Sequence, residues 1–254
     1  MDIVIIGTGN VAHCFGHLLK LHGHQIKQVV SRNRQHAQEL AEMLHAPFTD
    51  DVLDINMEAD VYLMAVSDTA IPELNDQLRL GKRIVAHTAG AVPLSAISKI
   101  SVNTGVLYPL QSIRKEIKTY PPIPIMLEAG NDDVLKRLQS LAQSISSRIE
   151  TATSEQRLKY HLTAVLCNNF TNHLIAQAKA YCDKEHLDFT LLQPIIKETF
   201  DRLEKFPPES VQTGPALRGD EATMSRHREL LAENEYLQLL YQVMSDSIYK
   251  LHHG

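Results

Sequence analysis

The chain has 254 residues, of which 44% are hydrophobic and 22% charged, a balance typical of a folded protein with one large or two smaller domains. Its net charge of −5, without a basic cluster, argues against nucleic acid as a partner. No apolar run reaches membrane-spanning length, and the N-terminus is predicted to be a strand rather than a signal peptide. Cys14, Cys167 and Cys182 lack metal-ligand spacing, so we expect a cytoplasmic protein with free thiols, no metal site and no membrane partner.

The first predicted element is a short apolar strand that ends in a glycine turn. The chain runs from Asp2-Ile3-Val4-Ile5-Ile6 into Gly7-Thr8-Gly9-Asn10-Val11-Ala12, and a helix is predicted from Val11 to about Leu21, before Gly23. In the pattern G-x-G-x-x-G/A, glycines let the backbone turn and approach a phosphate, and the helix start attracts an anion. The sequence therefore predicts a dinucleotide site whose pyrophosphate is held by Gly7, Thr8, Gly9, Asn10 and Val11. The alternative is a tight strand-to-helix turn in another α/β protein.

The second strand, at about residues 26–30, is followed by Ser31-Arg32-Asn33-Arg34. Enzymes that select NAD usually place an acidic residue here for the ribose 2′-hydroxyl. A hydroxyl and two guanidinium groups instead suit a 2′-phosphate. We therefore predict NADP as the cofactor, with Ser31 and Arg32 at its 2′-phosphate. Alternatively, Arg32 and Arg34 are solvated charges at the start of the next helix, predicted at 35–44.

Further apolar segments that alternate with helical ones predict a doubly wound parallel sheet within residues 1–150. The strands are expected at about 60–66, 83–86, 105–107 and 122–127, the last at an edge because of its prolines. Polar residues follow three of these strands at the carboxyl edge, where ligands bind in such folds. They are Ser67 with Asp68, His87 with Thr88, and Tyr108 with Gln111. Val66 and Ser67 are predicted to border the nicotinamide, whereas a structural role is favoured for His87.

From residue 151 to 254 the pattern is helical, and we predict a substrate or dimerisation domain with helices at about 153–185, 190–205, 221–232 and 234–251. Thr153 and Gln156 form a possible capping box at the start of the first helix. His161 and Asn168 share one face of it, which is either part of a site or an exposed polar surface. Later, Gly214-Pro215-Ala216-Leu217-Arg218-Gly219-Asp220 predicts a structured loop in which Arg218 binds an anion and Asp220 caps the next helix. The alternative is a solvated connector.

The combination of motifs resembles a known group of proteins over essentially the whole chain. The motifs are the Gly7 turn, Val66-Ser67-Asp68, His87-Thr88-Ala89-Gly90, Tyr108-Pro109-Leu110-Gln111-Ser112, His161 with Asn168-Asn169, and the loop from Thr213 to Asp220. They resemble the bacterial Rossmann-like oxidoreductases with a helical C-terminal domain of unknown function. These are relatives of pyrroline-5-carboxylate reductase within the 6-phosphogluconate dehydrogenase C-terminal-like superfamily.

The resemblance implies a Rossmann domain followed by an all-α domain, an NADP-type oxidoreductase, and a homodimer formed through the C-terminal helices. Hydroxyacid dehydrogenases of the wider superfamily carry a catalytic Lys and, four residues later, an Asn on the long helix. Here Lys159 is followed at that spacing by Thr163. A lysine-based mechanism is therefore not expected.

These observations support the hypothesis that the chain is an NADP-dependent oxidoreductase acting on a small carbonyl, imine or hydroxy compound. In this hypothesis His161 supplies a proton, Asn168 orients the substrate and Arg218 holds a carboxylate. A second hypothesis is a non-catalytic NADP(H)-binding sensor or partner protein, since no acid–base set is complete. A third is the same fold with another nucleotide as its ligand.

Overall fold

A computed structural model of the protein describes residues 1–117 and 120–254. The chain divides into two compact units, residues 1–170 and 171–254. The first is built on a sheet flanked by helices and the second is helical, which confirms the predicted fold class. The last strand ends at Thr151, close to the predicted domain boundary at residue 150, whereas the compact units divide after Phe170.

Within the described residues of the first unit, eight strands form one sheet. The strands are β1 (Asp2–Ile6), β2 (Gln25–Val30), β3 (Phe48–Thr49), β4 (Val61–Met64), β5 (Gly81–His87), β6 (Ser101–Pro109), β7 (Ile125–Ala129) and β8 (Ile149–Thr151). The helices are α1 (Asn10–Leu21), α2 (Arg34–Leu44), α3 (Ile71–Gln77), α4 (Asp132–Ile145) and α5 (Ser154–Ala164). The strand order is β3-β2-β1-β4-β5-β6-β7-β8, which places the glycine turn after β1 between β2 and β4.

The sheet differs from the prediction at β7. All paired neighbours are parallel except β6 and β7, which are antiparallel. The predicted edge strand at 122–127 begins only at Ile125, and it is not an edge because β8 pairs with its outer side. Pro122 and Pro124 precede the strand instead of lying in it, and the Pro124 carbonyl accepts a hydrogen bond from the Leu110 amide. β8 and β3 have three and two residues, too few for a hydrophobic period to reveal them.

The two faces of β1 contribute to two separate cores. Ile3 and Ile5 pack with the buried faces of α1, α2 and α4. Val4 and Ile6 pack on the opposite face, with Ile71 of α3 among their neighbours. Since side chains alternate across a strand, a central strand covered on both sides is expected to be apolar on both faces, and β1 is apolar from Ile3 to Ile6.

α5 begins with the capping box that the sequence predicts. The Thr153 hydroxyl accepts a hydrogen bond from the Gln156 amide, and the Gln156 side chain accepts one from the Thr153 amide. A π-helical turn, Val165–Phe170, follows α5. This local widening of the helix places Asn168 and Asn169 where α-helical spacing no longer applies.

The second unit consists of helices joined by turns and by two longer connections that contain 3₁₀ helices: α6 (Thr171–Lys184), α7 (Gln193–Leu203), α8 (Pro215–Arg218), α9 (Glu221–Leu230) and α10 (Glu235–His253). As predicted, Asp220 caps α9, since its carboxylate accepts the Thr223 amide at 3.1 Å. The helix predicted from residue 190 begins as a single 3₁₀ turn, Phe189–Leu192, and becomes α-helical at Gln193. Among the helices described, none is both long and apolar enough to cross a bilayer.

Candidate active site

The turn after β1 is shaped by two glycines with different requirements. Gly7 has a φ of +113°, and a Cβ there would lie 2.1 Å from the Ala65 carbonyl oxygen. Gly9 precedes α1 with an ordinary φ of −79°, and no heavy atom lies within 4 Å of the place its Cβ would take. Gly7 is therefore needed for the fold itself, whereas the bare backbone at Gly9 faces open space. No side chain of the described residues caps α1, so its first amide groups are available to an anion.

A groove of about 950 Å³ extends from this turn along the carboxyl edge of the sheet. This volume lies within the range of pockets that bind small-molecule ligands and cofactors. All the residues predicted to contact the cofactor line it: Gly7, Thr8, Gly9, Asn10, Val11, Ser31, Arg32, Val66 and Ser67. The glycine cradle and the uncapped helix start fit a dinucleotide pyrophosphate.

At the end of β2, the basic residues already have acidic partners. The Arg32 guanidinium donates to the Glu73 carboxylate of α3 at 2.8 Å, and Arg34 donates to Asp50 at 3.0 Å. Ser31 lies closer to the turn, with its Oγ 3.3 Å from the Thr8 hydroxyl. The sequence analysis missed both acidic partners, because Glu73 is 41 residues from Arg32 and Asp50 is 16 from Arg34.

One histidine that lines the groove is in contact with a tyrosine. The Tyr108 hydroxyl lies 3.1 Å from His161 Nδ1, and the two rings are edge to face. Tyr108 is 8% exposed, and burial raises the pKa of its hydroxyl. A Cβ at Gly90 would lie 2.7 Å from His161 Nδ1 and 2.9 Å from the Tyr108 ring, so a glycine here makes the pair possible. His161 itself lines the groove.

A buried ion pair fixes the helix that carries His161. Arg157 lies one turn earlier on α5, is only 1% exposed, and binds the Glu128 carboxylate of β7 and the Val92 carbonyl. Ser154 completes the cluster, since its hydroxyl donates to Glu128 at 2.8 Å and accepts the Leu94 amide at 3.0 Å. These contacts join α5 both to the sheet and to the segment that follows Gly90. The sequence analysis missed this pair, because its members lie 29 residues apart and neither belongs to a motif.

His87 is structural in this geometry. Its side chain is fully buried, and Nδ1 accepts a hydrogen bond from the Ala89 amide at 3.2 Å. Burial, with a smaller contribution from the Arg157 charge, lowers its pKa from 6.5 to about 4. The ring is therefore neutral at physiological pH and orders the turn that leads to Gly90.

The three residues predicted to be catalytic lie in different places. His161 lines the groove, whereas Asn168 is exposed in the π-helical turn and is not among the described residues that line it. Arg218 belongs to the second unit, at the end of α8, just before Gly219 with a φ of +65°. The prediction that His161 and Asn168 share a helix face assumed α-helical spacing through residues 165–170, and the π-helical turn breaks that spacing.

Two family models match the chain. Residues 2–90 match the family described as NADP oxidoreductase coenzyme F420-dependent. Residues 123–248 match a domain of unknown function, DUF2520. A search among curated proteins gives no match.

Solved structures similar to this one include a putative NADP oxidoreductase from Bacteroides fragilis, 35% identical over 98% of both chains, with a TM-score of 0.91. A 1-pyrroline-5-carboxylate reductase from Streptococcus pyogenes is 14% identical over 98% of both chains, with a TM-score of 0.62. A reductive aminase from Aspergillus terreus, solved with NADPH and ethyl-5-oxohexanoate, is 12% identical over 100% of this chain and 95% of its own, with a TM-score of 0.74. The last two are similar in fold alone.

Proposed function

The chain belongs to the family of NADP oxidoreductases that join a Rossmann domain to a DUF2520 domain, and on this premise we propose that it catalyses hydride transfer between NADP and a small carbonyl, imine or hydroxy compound. The observation that carries the proposal is one groove lined both by the anion-binding glycine turn and by His161, whose ring contacts Tyr108. NADP is the cofactor of this family, and it supplies the hydride when it is bound.

In this proposal the chain holds the cofactor mainly through its backbone. The backbone from Gly7 to Val11 surrounds the pyrophosphate, and the first amides of α1 bind it because no side chain caps them. Ser31 and Arg32 bind the 2′-phosphate, and Val66 and Ser67 border the nicotinamide. These roles are supported by the position of all these residues along one groove.

His161 supplies the proton that accompanies reduction of the substrate. In the acid form both ring nitrogens of His161 carry a proton, and the Tyr108 hydroxyl oxygen, 3.1 Å from Nδ1, accepts the proton on that nitrogen. Nε2, the nitrogen that Tyr108 leaves free, then donates its proton to the substrate. Reduction of a C=O or C=N group places the hydride on carbon and the Nε2 proton on oxygen or nitrogen, which leaves a neutral imidazole with its remaining proton on Nδ1. We further propose that Asn168 orients the substrate and that Arg218 binds a carboxylate.

A substrate panel tests the proposed reaction. Purified protein is mixed with NADPH and with aldehydes, ketones and cyclic imines, and oxidation of NADPH is followed by its absorbance. We expect turnover of at least one class, and a loss of about a hundredfold in His161→Gln with unchanged NADPH affinity. NADPH binding without any turnover across the panel supports the non-catalytic sensor instead.

We also propose that two copies pair through the helices of residues 171–254. α10 exposes Tyr236, Leu239 and Val243 at a helical spacing of three and four residues, with exposed fractions of 88%, 63% and 55%. Contiguous exposed apolar side chains of this size are typical of interaction surfaces. Light scattering of the wild type should give a dimer, and Leu239→Glu should shift it towards the monomer. A monomeric wild type at micromolar concentration would contradict this.

A further inference from the structure

We propose that Glu73 limits how strongly this protein prefers NADP over NAD, because its carboxylate competes with the cofactor's 2′-phosphate for the Arg32 guanidinium. The inference rests on the proposed use of the groove as the cofactor site. It adds a residue that neither the sequence motif nor the family assignment identifies.

The position of the pair supports this role. Arg32 follows β2, and Glu73 lies on α3, which follows β4. Strands β2 and β4 flank β1, so the ion pair joins the segments on either side of the glycine turn. Both side chains line the groove.

Both carboxylate oxygens of Glu73 accept hydrogen bonds. One oxygen, Oε2, accepts from Arg32 Nη1 at 2.8 Å, and Oε1 accepts from Gln77 Nε2 at 3.3 Å. Gln77 lies one turn later on α3 and also lines the groove. Gln77, on the same helix, therefore helps to orient the Glu73 carboxylate towards the Arg32 guanidinium.

The charges that line the groove increase the effect of the competition between Glu73 and the 2′-phosphate for Arg32. Arg32 is the only lysine or arginine among the described residues that line it, whereas Asp50, Asp51, Asp68 and Glu73 line it as well. The Arg32 and Glu73 side chains are 75% and 48% exposed, so their ion pair is weak and can exchange. A dianionic phosphate attracts the guanidinium more strongly than a carboxylate does, but a carboxylate left nearby repels that phosphate. Glu73 therefore opposes binding of the 2′-phosphate both before and after the exchange.

The test compares ligands that differ only in this phosphate. Dissociation constants of the wild type and Glu73→Gln are measured by calorimetry for NADPH, NADH, adenosine 2′,5′-bisphosphate and AMP. Glutamine keeps the size of the side chain and removes its charge. We expect about three- to tenfold tighter binding of NADPH and of the bisphosphate, with NADH and AMP unchanged within about twofold, and a smaller gain at high salt.

Asp76→Asn is the matched control. Asp76 lies on the same helix and pairs with Lys99 at 2.6 Å, but it does not line the groove. This substitution removes the same charge from α3, so the selectivity should stay at the wild-type value. In an Arg32→Gln background, Glu73→Gln should give a smaller gain in NADPH affinity than in the wild type, because the competition for the guanidinium is gone and only the direct repulsion of the phosphate is relieved.

Equal changes for NADPH and NADH in Glu73→Gln, or no change for either, would overturn the inference while leaving the cofactor groove in place. The same gain in Asp76→Asn would attribute the effect to net charge and would also overturn it. A wild type that binds neither NADPH nor NADH would refute the proposed function itself, and the role of Glu73 with it. Thermal unfolding of each variant verifies that it is folded, as the exposure of both side chains leads us to expect.

Discussion

Substitution of Gly9 by alanine separates cofactor binding from folding. The backbone at Gly9 has an ordinary φ of −79°, and an added Cβ would meet no heavy atom within 4 Å. The structural cost is therefore limited to a poorer helix start, about 1 kcal/mol or less, which lowers Tm by roughly 2–4 °C in a chain of this size. In the groove, however, the new methyl group would occupy the space through which a pyrophosphate reaches the first amides of α1.

The expected loss of affinity follows from those amides. A hydrogen bond to a charged group contributes about 1.5–3 kcal/mol, so losing one weakens NADPH binding by roughly ten- to 150-fold. Binding is measured by the change in NADPH fluorescence, and stability by thermal unfolding of the same samples. Gly7→Ala is the contrasting variant, because its Cβ would lie 2.1 Å from a backbone oxygen and its φ is +113°, so it should lose stability as well. If Gly9→Ala binds NADPH as tightly as the wild type, the pyrophosphate does not lie at this turn.

Three further predictions concern buried groups of the first unit. The pKa of His87 is about 4 in the folded protein against 6.5 ordinarily, so between these pH values the unfolded chain binds a proton that the folded protein does not. The free energy of unfolding therefore has its full value above pH 6.5 and decreases as the pH falls towards 4. By pH 5 this amounts to about 2 kcal/mol, and denaturant unfolding at pH 7.5 and 5 should show it in the wild type but not in His87→Asn. Tyr108→Phe should reduce turnover about tenfold or more while NADPH affinity stays constant, since His161 loses the partner that fixes its tautomer. Arg157→Met should lower the free energy of unfolding by about 3–5 kcal/mol, because the Glu128 carboxylate loses its cationic partner. Arg157→Met/Glu128→Leu should restore most of that free energy, as measured by denaturant unfolding.

The sequence predicts the start of the fold well because the determinants there are local. The run from Ile3 to Ile6 is apolar since β1 is covered on both faces, and the glycine turn follows directly. The capping box at Thr153 and the cap at Asp220 are also short-range signals, and the structure has both. In each case the interactions that determine the local structure involve only residues a few positions apart.

The contacts that define the candidate site are not local. Tyr108 and His161 are 53 residues apart, and only the packing of α5 on the sheet makes them neighbours. Gly90 belongs to the motif His87-Thr88-Ala89-Gly90, but the motif alone does not reveal that a Cβ there would collide with both rings. Glu73 was missed for the same reason, since its partner Arg32 belongs to another βα segment. The helix face assigned to Asn168 is the opposite case, because a regular α-helical period was assumed where the backbone forms a π-helical turn.

A direct titration of the wild-type protein with NADPH and NADH tests whether the glycine turn holds a pyridine dinucleotide. We expect saturable binding of one NADPH per chain, with tighter binding of NADPH than of NADH and weaker binding at high salt because the 2′-phosphate pairs with Arg32. Failure of both nucleotides to bind at millimolar concentration would contradict the assignment of the groove as the cofactor site.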